Sequence, residues 1–204
     1  TLYLREATTD PNQVGGWMLH GEASAGMRIP SSKEAFLVLD PQGLEQSDFH
    51  FLQEFAPGRL RGLDLSGLNG SGRGVMIRCV SALVGMKELT ELVLSKPGVG
   101  RVVDNRMFLA VNRIASLRLL SLGGSRKVSD DGAGLIGAMV SLRSLTLDGT
   151  GITDTGVAYL SYLKELRALH INDTAVTDLA METIGTFEQL RVLHANGTGI
   201  TSDG

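Results

Sequence analysis

The phrase Leu-x-x-Leu-x-Leu opens six segments of the chain, at Leu60, Leu89, Leu117, Leu142, Leu166 and Leu190. The last three starts lie 24 residues apart, and the earlier intervals are 29, 28 and 25. A period in this range describes units that cannot each bury a hydrophobic face alone. Stacking them creates one continuous core, so the chain folds as an array of like units rather than as an ordinary globule.

Within the phrase the apolar positions alternate with polar ones, as in Leu142-Arg143-Ser144-Leu145-Thr146-Leu147. Period two predicts a short strand with one buried face. The residues that follow also repeat: Thr150-Gly151-Ile152-Thr153-Asp154, Thr174-Ala175-Val176-Thr177-Asp178 and Thr198-Gly199-Ile200-Thr201-Ser202. Ile152, Val176 and Ile200 would pin this loop to the core. Thr153, Asp154, Thr177 and Asp178 are residue types that accept hydrogen bonds from the free amides at a helix start. Apolar residues at helical spacing come next. Val157, Leu160 and Leu163 match Met181, Ile184 and Phe187, then Ala133, Ile136 and Met139, Phe108, Val111 and Ile114, and Val80, Leu83 and Met86. Five units therefore share one strand-then-helix register.

Leu142-x-x-Leu145-x-Leu147-x-x-Thr150-x-Ile152 resembles the leucine-rich repeat, with Thr where that family usually has Asn or Cys. The Thr-x-Ile-Thr-Asp tail resembles the cysteine-containing subclass found in F-box type receptors, whose usual Cys is missing here. The resemblance implies an α/β solenoid, curved, with a parallel sheet on its concave side and helices on its convex side. It also gives Thr150, Thr174 and Thr198 a structural role, closing the turn in place of the family's Asn ladder.

Upstream the register blurs. Phe36-Leu37-Val38-Leu39-Asp40 reads as a strand, Ser47-Asp48 as a helix start, and Phe49, Leu52 and Phe55 as its buried stripe. The array is accordingly expected to span residues 34–204, with starts near 34, 60, 89, 117, 142, 166 and 190. Residues 1–33 are expected to be an irregular N-terminal segment with room for one divergent repeat, and Leu2-Tyr3-Leu4 to be an early strand. Pro11, Gly15, Gly16, Gly21, Gly26 and Pro30 oppose a regular unit there. Ile200-Thr201-Ser202 aligns with Ile152-Thr153-Asp154, where a helix begins, so the last repeat is expected to be truncated and the chain to be part of something longer.

Composition narrows the function classes. The charge is balanced at 19 Lys and Arg against 22 Asp and Glu, and neither half is polarised. No bulk attraction to nucleic acid or to a membrane is expected. The single cysteine, Cys79, sits among Met76, Ile77, Val80 and Leu83, which reads as a small buried residue. With no intrachain disulfide possible, an intracellular, cytoplasmic location is expected.

Three features invite chemistry. Gly67-Leu68-Asn69-Gly70-Ser71-Gly72-Arg73-Gly74 has glycines at a phosphate-loop spacing, but Arg73 and Gly74 stand where Lys and a hydroxyl are needed. A flexible insertion accounts for it better. His170 and His194 share one phrase position on consecutive strands and so stack about 4.8 Å apart. Two histidines fall short of the usual three or four metal ligands. The second phrase position is Arg61, Arg118, Arg143, Arg167 and Arg191, with Thr90 as the exception, which makes an arginine column along one edge of the sheet. Docking of an acidic partner is one reading. Local pairing with Glu165, Glu188, Asp148 or Asp173 is the simpler one.

The expected function is a non-enzymatic protein–protein interaction scaffold, a subunit of a larger intracellular assembly, with no cofactor, catalytic residue or metal. A partner protein is expected on the concave face over Arg143, Ser144, Thr146, Arg167, Ala168, His170, Arg191, Val192 and His194. Neither membrane nor nucleic acid is expected as a partner. The alternatives are the substrate-receptor region of a ubiquitin ligase, implied by the F-box-like subclass, and repeats appended to an enzyme whose catalytic domain lies elsewhere.

Overall fold

A computed structural model describes residues 2–6, 18–21, 33–39, 49, 52, 58–70, 73–95 and 103–202. Among the described residues nine strands form one sheet: β1 (Leu2–Glu6), β2 (Met18–Gly21), β3 (Lys33–Val38), β4 (Leu60–Asp64), β5 (Glu91–Ser95), β6 (Leu119–Leu122), β7 (Ser144–Thr146), β8 (Ala168–His170) and β9 (Val192–His194). Their order is β2-β1-β3-β4-β5-β6-β7-β8-β9. From β3 to β9 every pairing is parallel, as a solenoid requires. The strand expected at Leu2-Tyr3-Leu4 is present as β1. It runs antiparallel to both β2 and β3, so the sheet changes direction at its N-terminal end.

The fourth phrase leucine sets the register. Leu37, Leu63, Leu92, Leu120, Leu145, Leu169 and Leu193 pair strand to strand in a single column. All but the last are buried. The column continues because a parallel sheet places equivalent residues side by side at about 4.8 Å. Between strands the chain returns through short helices: α1 (Arg73–Ala82), α2 (Phe108–Val111), α3 (Asp130–Ile136), α4 (Asp154–Tyr159) and α5 (Met181–Ile184). Short 3-10 turns lengthen several of them, at Asn105–Met107, Leu160–Tyr162 and Asp178–Ala180. The shared helix register holds. Val157, Leu160, Leu163, Ile184, Phe187, Ala133, Ile136, Phe108, Val111, Ile114, Val80 and Leu83 are all buried in one core. Phe49 and Leu52 are fully buried as expected, whereas Asp40, Ser47, Asp48 and Phe55 lie outside the described residues.

Among the described residues one set of side-chain hydrogen bonds closes the turn inside each unit, and two ladders tie neighbouring units together. Thr150, Thr174 and Thr198 each donate their hydroxyl to the carbonyl three residues back, at 2.6, 2.7 and 2.6 Å. That is the turn-closing role the resemblance implies. One ladder runs along the strand ends: Asp148 Oδ1 accepts the Asn172 amide, and Asn172 Oδ1 accepts the Asn196 amide, both at 2.7 Å.

The other ladder departs from expectation. Thr153 and Thr177 do cap their own helices, but the aspartates after them reach into the next unit instead. Asp154 Oδ1 accepts the Thr177 amide at 2.7 Å and Oδ2 accepts its hydroxyl at 2.8 Å. Asp130 does the same for Thr153, and Asp178 for Thr201. The residue seven positions after the phrase start is left-handed in four consecutive units, at Gly124 (φ 78°), Gly149 (φ 61°), Asp173 (φ 54°) and Gly197 (φ 68°). Glycine adopts that conformation without steric cost, which explains three of the four.

Candidate partner-binding face

Strand alternation sends phrase positions four and six into the core and positions three and five to the opposite, concave side. Position three reads Gly62, Glu91, Leu119, Ser144, Ala168 and Val192. Position five reads Asp64, Val93, Ser121, Thr146, His170 and His194. Burial divides this face. Toward the N-terminal units Glu91 and Asp64 are buried, and the Phe36 ring lies against Gly62 so closely that a Cβ there would collide with it. Toward the C-terminal units Ser144, Thr146, Ala168 and His170 are half-buried, and Val192 and His194 are exposed. The accessible concave surface is therefore the one over β6 to β9.

His170 and His194 are register partners, and their rings meet edge-on with centroids 4.4 Å apart and planes at 68°. Burial, joined by the neighbouring His194, holds the His170 imidazole below its ordinary pKa, while Asp148 at the end of β7 pulls the other way. Among the described residues no group of three or more His, Cys, Asp or Glu side chains is arranged to hold a metal.

The arginine column stands at the N-terminal edge of the strands. Three of the arginine carbonyls each accept two amides of the next unit. The Arg118 carbonyl takes those of Arg143 and Ser144, that of Arg143 takes Arg167 and Ala168, and that of Arg167 takes Arg191 and Val192. The side chains behave unequally. Arg61 pairs with Glu34 at 2.8 Å and with Glu88. Arg143 lies 3.7 Å from Glu165. Arg118, Arg167 and Arg191 form no ion pair among the described residues, and the buried Arg167 Nε has no hydrogen-bond partner there. The expected local pairing with Glu188, Asp148 or Asp173 is not found among the described residues. The physical reason is placement. The acid that meets the column comes from the residue just before the next phrase, which is Glu88 or Glu165 in two units but Ser116, Ser141 or Gln189 in the others.

The glycine-rich stretch after β4 is built as a turn. Ser66–Gly70 forms a 3-10 helix, and Leu68 within it is fully buried with its amide donating to the Leu65 carbonyl at 2.9 Å. Ser71 and Gly72 lie outside the described residues. Cys79 is free and buried, and burial pushes its thiol pKa up, away from reactivity. No helix among the described residues is long and apolar enough to cross a membrane. The strand-end and Asp–Thr ladders escaped the sequence reading as inter-unit contacts. Their signal was present, because Asp148, Asn172 and Asn196, like Asp130, Asp154 and Asp178, recur at the interval of the repeat.

No family model matches the chain, and no curated protein matches it. Solved structures do. Internalin C2 of Listeria monocytogenes is 18% identical, over 71% of this chain and 62% of that one, with a TM-score of 0.42. The internalin inlF of the same organism is 16% identical, over 71% and 56%, with a TM-score of 0.39. TLR13 in the TLR13–ssRNA13 complex is 20% identical, over 71% and 20%, with a TM-score of 0.52. The chain thus spans under two thirds of each neighbour's length. Identities this low speak to fold alone, and of the three only TLR13 has a TM-score high enough to do so. With that likeness, a seven-strand parallel run and a leucine column through every unit of it, the protein is a leucine-rich-repeat solenoid.

Proposed function

We propose that the protein is a non-enzymatic interaction scaffold that holds a partner protein on the concave face over β6 to β9, as a subunit of a larger intracellular assembly. The residues committed to it are Arg143, Ser144, Thr146, Arg167, Ala168, His170, Arg191, Val192 and His194. The observation that carries this is the contrast between frame and face. The leucine column, the threonine turns and the Asp–Thr ladder repeat from unit to unit, while the concave positions change from Ser144 to Ala168 to Val192 and from Thr146 to His170. A repeated frame under varied exposed residues is how a solenoid builds a specific surface. Residues 34–204 serve as the array and residues 1–33 as its irregular N-terminal segment in this reading.

The Thr-x-Ile-Thr-Asp tail supports a narrower version, in which the repeats are the substrate-receptor region of a ubiquitin ligase. An array appended to a catalytic domain elsewhere in a longer protein is the alternative from another class. TLR13 was solved in complex with ssRNA13. Here the exposed concave positions offer no Phe, Tyr or Trp for bases to stack on, which favours a protein partner. The test replaces His170 and His194 together with Ala and repeats a pull-down from cells that make the protein. The reading expects the captured partner to be lost at an unchanged melting temperature. Full recovery of the partner by the double variant would reject this face.

A further inference from the structure

We infer that the partner presents an acidic peptide segment, whose carboxylates meet the Arg118, Arg167 and Arg191 guanidiniums and the His170–His194 pair. The inference rests on the reading of the concave face as the partner-binding surface and gives that partner its chemistry.

Charge is the first support. The protein carries a net charge of −3, so a basic face is not a by-product of a basic chain. Over β6 to β9 the outward strand positions are Leu119, Ser121, Ser144, Thr146, Ala168, His170, Val192 and His194, with no carboxylate among them. The buried acids of the concave side, Asp64 and Glu91, belong to β4 and β5. The outward positions over β6 to β9 thus hold no carboxylate, and the positive charge beside them comes from the arginines at the strand edge.

Pairing is the second support. Arg61 is occupied by Glu34 and Glu88, and Arg143 has Glu165 nearby. Arg118, Arg167 and Arg191 have no ion pair among the described residues, and Arg167 keeps a buried Nε–H with nothing to donate to. A buried donor without an acceptor is unfavourable, and it leaves the Arg167 guanidinium uncommitted to a partner among the described residues. Guanidinium also matches a carboxylate with two parallel donors.

Geometry is the third. The column places one arginine just before each of β6 to β9, about 4.8 Å from the next, and on β8 and β9 a histidine follows three residues further, about 10 Å along the strand. The resulting band crosses four strands in about 14 Å, the reach of a few extended residues. A peptide laid across the strands can meet the arginines along one side and the histidines along the other. His170 faces His194 from β9 and Asp148 from the end of β7, and its other register neighbour, Thr146, is uncharged. A proton taken up by His170 adds charge of the sign that the ligand needs.

The experiment is fluorescence anisotropy with the whole chain and three labelled probes of equal length: a peptide alternating Glu and Ser, one alternating Gln and Ser, and a single-stranded oligouridylate. The Glu peptide should bind, weaken as salt rises, and tighten as pH falls from 7.5 to 5.5. Arg191→Glu, at an exposed position, should weaken it about tenfold. The double variant His170→Gln with His194→Gln should bind the Glu peptide more weakly at pH 7.5 and lose the pH response. Equal binding of the Gln peptide, or an unchanged affinity in Arg191→Glu, overturns the inference. Tighter binding of oligouridylate than of the Glu peptide makes the face a nucleic-acid site and overturns it equally. If the Glu peptide fails while the His170 and His194 variant still loses the cellular partner, the face stands and only its acidic ligand falls.

Discussion

Removing the Asp154 carboxylate tests whether the Asp–Thr ladder holds the array together. Asp154 accepts the Thr177 amide and hydroxyl across the unit boundary, at 2.7 and 2.8 Å. In Asp154→Ala both donors lose their acceptor. Bonds to a charged group contribute about 1.5–3 kcal/mol each, and these are only part-buried, so the lower end applies and the pair amounts to about 3 kcal/mol. The aspartate also opens α4, and losing a negative charge from a first helical turn adds about 0.5 kcal/mol. Asp154→Asn should behave differently. Asn105 already holds Ser129 in the neutral form of this contact, its Oδ1 accepting the Ser129 amide at 3.1 Å and its Nδ2 donating to the Ser129 hydroxyl at 2.8 Å. The Asn variant keeps both bonds and loses only charge, at about 1 kcal/mol. Urea unfolding of the two variants measures the difference. Native-state hydrogen exchange should show the Thr177 amide and the units beyond it opening first in Asp154→Ala, because stability in a stacked array is passed between neighbours. Equal damage from Asn and Ala, or none from Ala, would refute the reasoning.

Other expectations follow from single residues. Ser125 occupies the turn-closing threonine's place and is fully buried, yet its hydroxyl finds no partner among the described residues; Ser125→Ala should be neutral or up to about 1 kcal/mol stabilising by thermal melting, whereas Thr150→Ala should cost about 1–2 kcal/mol. Gly134 and Gly137 separate helix propensity from packing. A Cβ at Gly134 meets only the Tyr159 ring at 3.7 Å, so Gly134→Ala should stabilise α3 by up to about 1 kcal/mol. A Cβ at Gly137 strikes the Tyr159 carbonyl oxygen, a backbone atom, so Gly137→Ala should cost about 1–3 kcal/mol in the same denaturant assay. His170 titrates below its unfolded value of 6.5, chiefly through burial and then through His194. The unfolded chain then binds the proton more readily, so stability should be complete above pH 6.5 and fall as pH drops below it. His194→Gln should reduce that loss in melts at pH 7.5 and 5.5, and an unaltered pH dependence would contradict the assignment.

Much of the frame was legible because its physics is periodic. A leucine at the same place in every unit can only be buried by stacking, so the parallel column from Leu63 to Leu193 follows from spacing alone. Thr150 was legible for the same reason, since its partner carbonyl lies three residues away on the same turn. The Asp–Thr ladder was half legible. The residue types marked a helix start, and Thr153 and Thr177 do cap there. That Asp154 instead bonds the next unit depends on how closely two units approach, a distance the sequence does not contain. The candidate face divides likewise. The alignment of His170 with His194 follows from register, but the arginine column looked like ordinary surface pairing.

The sequence by itself determined the unit, its period, its inward and outward positions and hence the solenoid. Those properties arise from local chain geometry and from the need to bury leucine. Tertiary structure decided which outward residues are accessible and which are paired. It buried Glu91 and Asp64, left Val192 and His194 exposed, satisfied Arg61 and left Arg118, Arg167 and Arg191 without ion pairs among the described residues. The physical reason is that burial and pairing are set by neighbours one unit away, about 24 residues along the chain and about 4.8 Å through space.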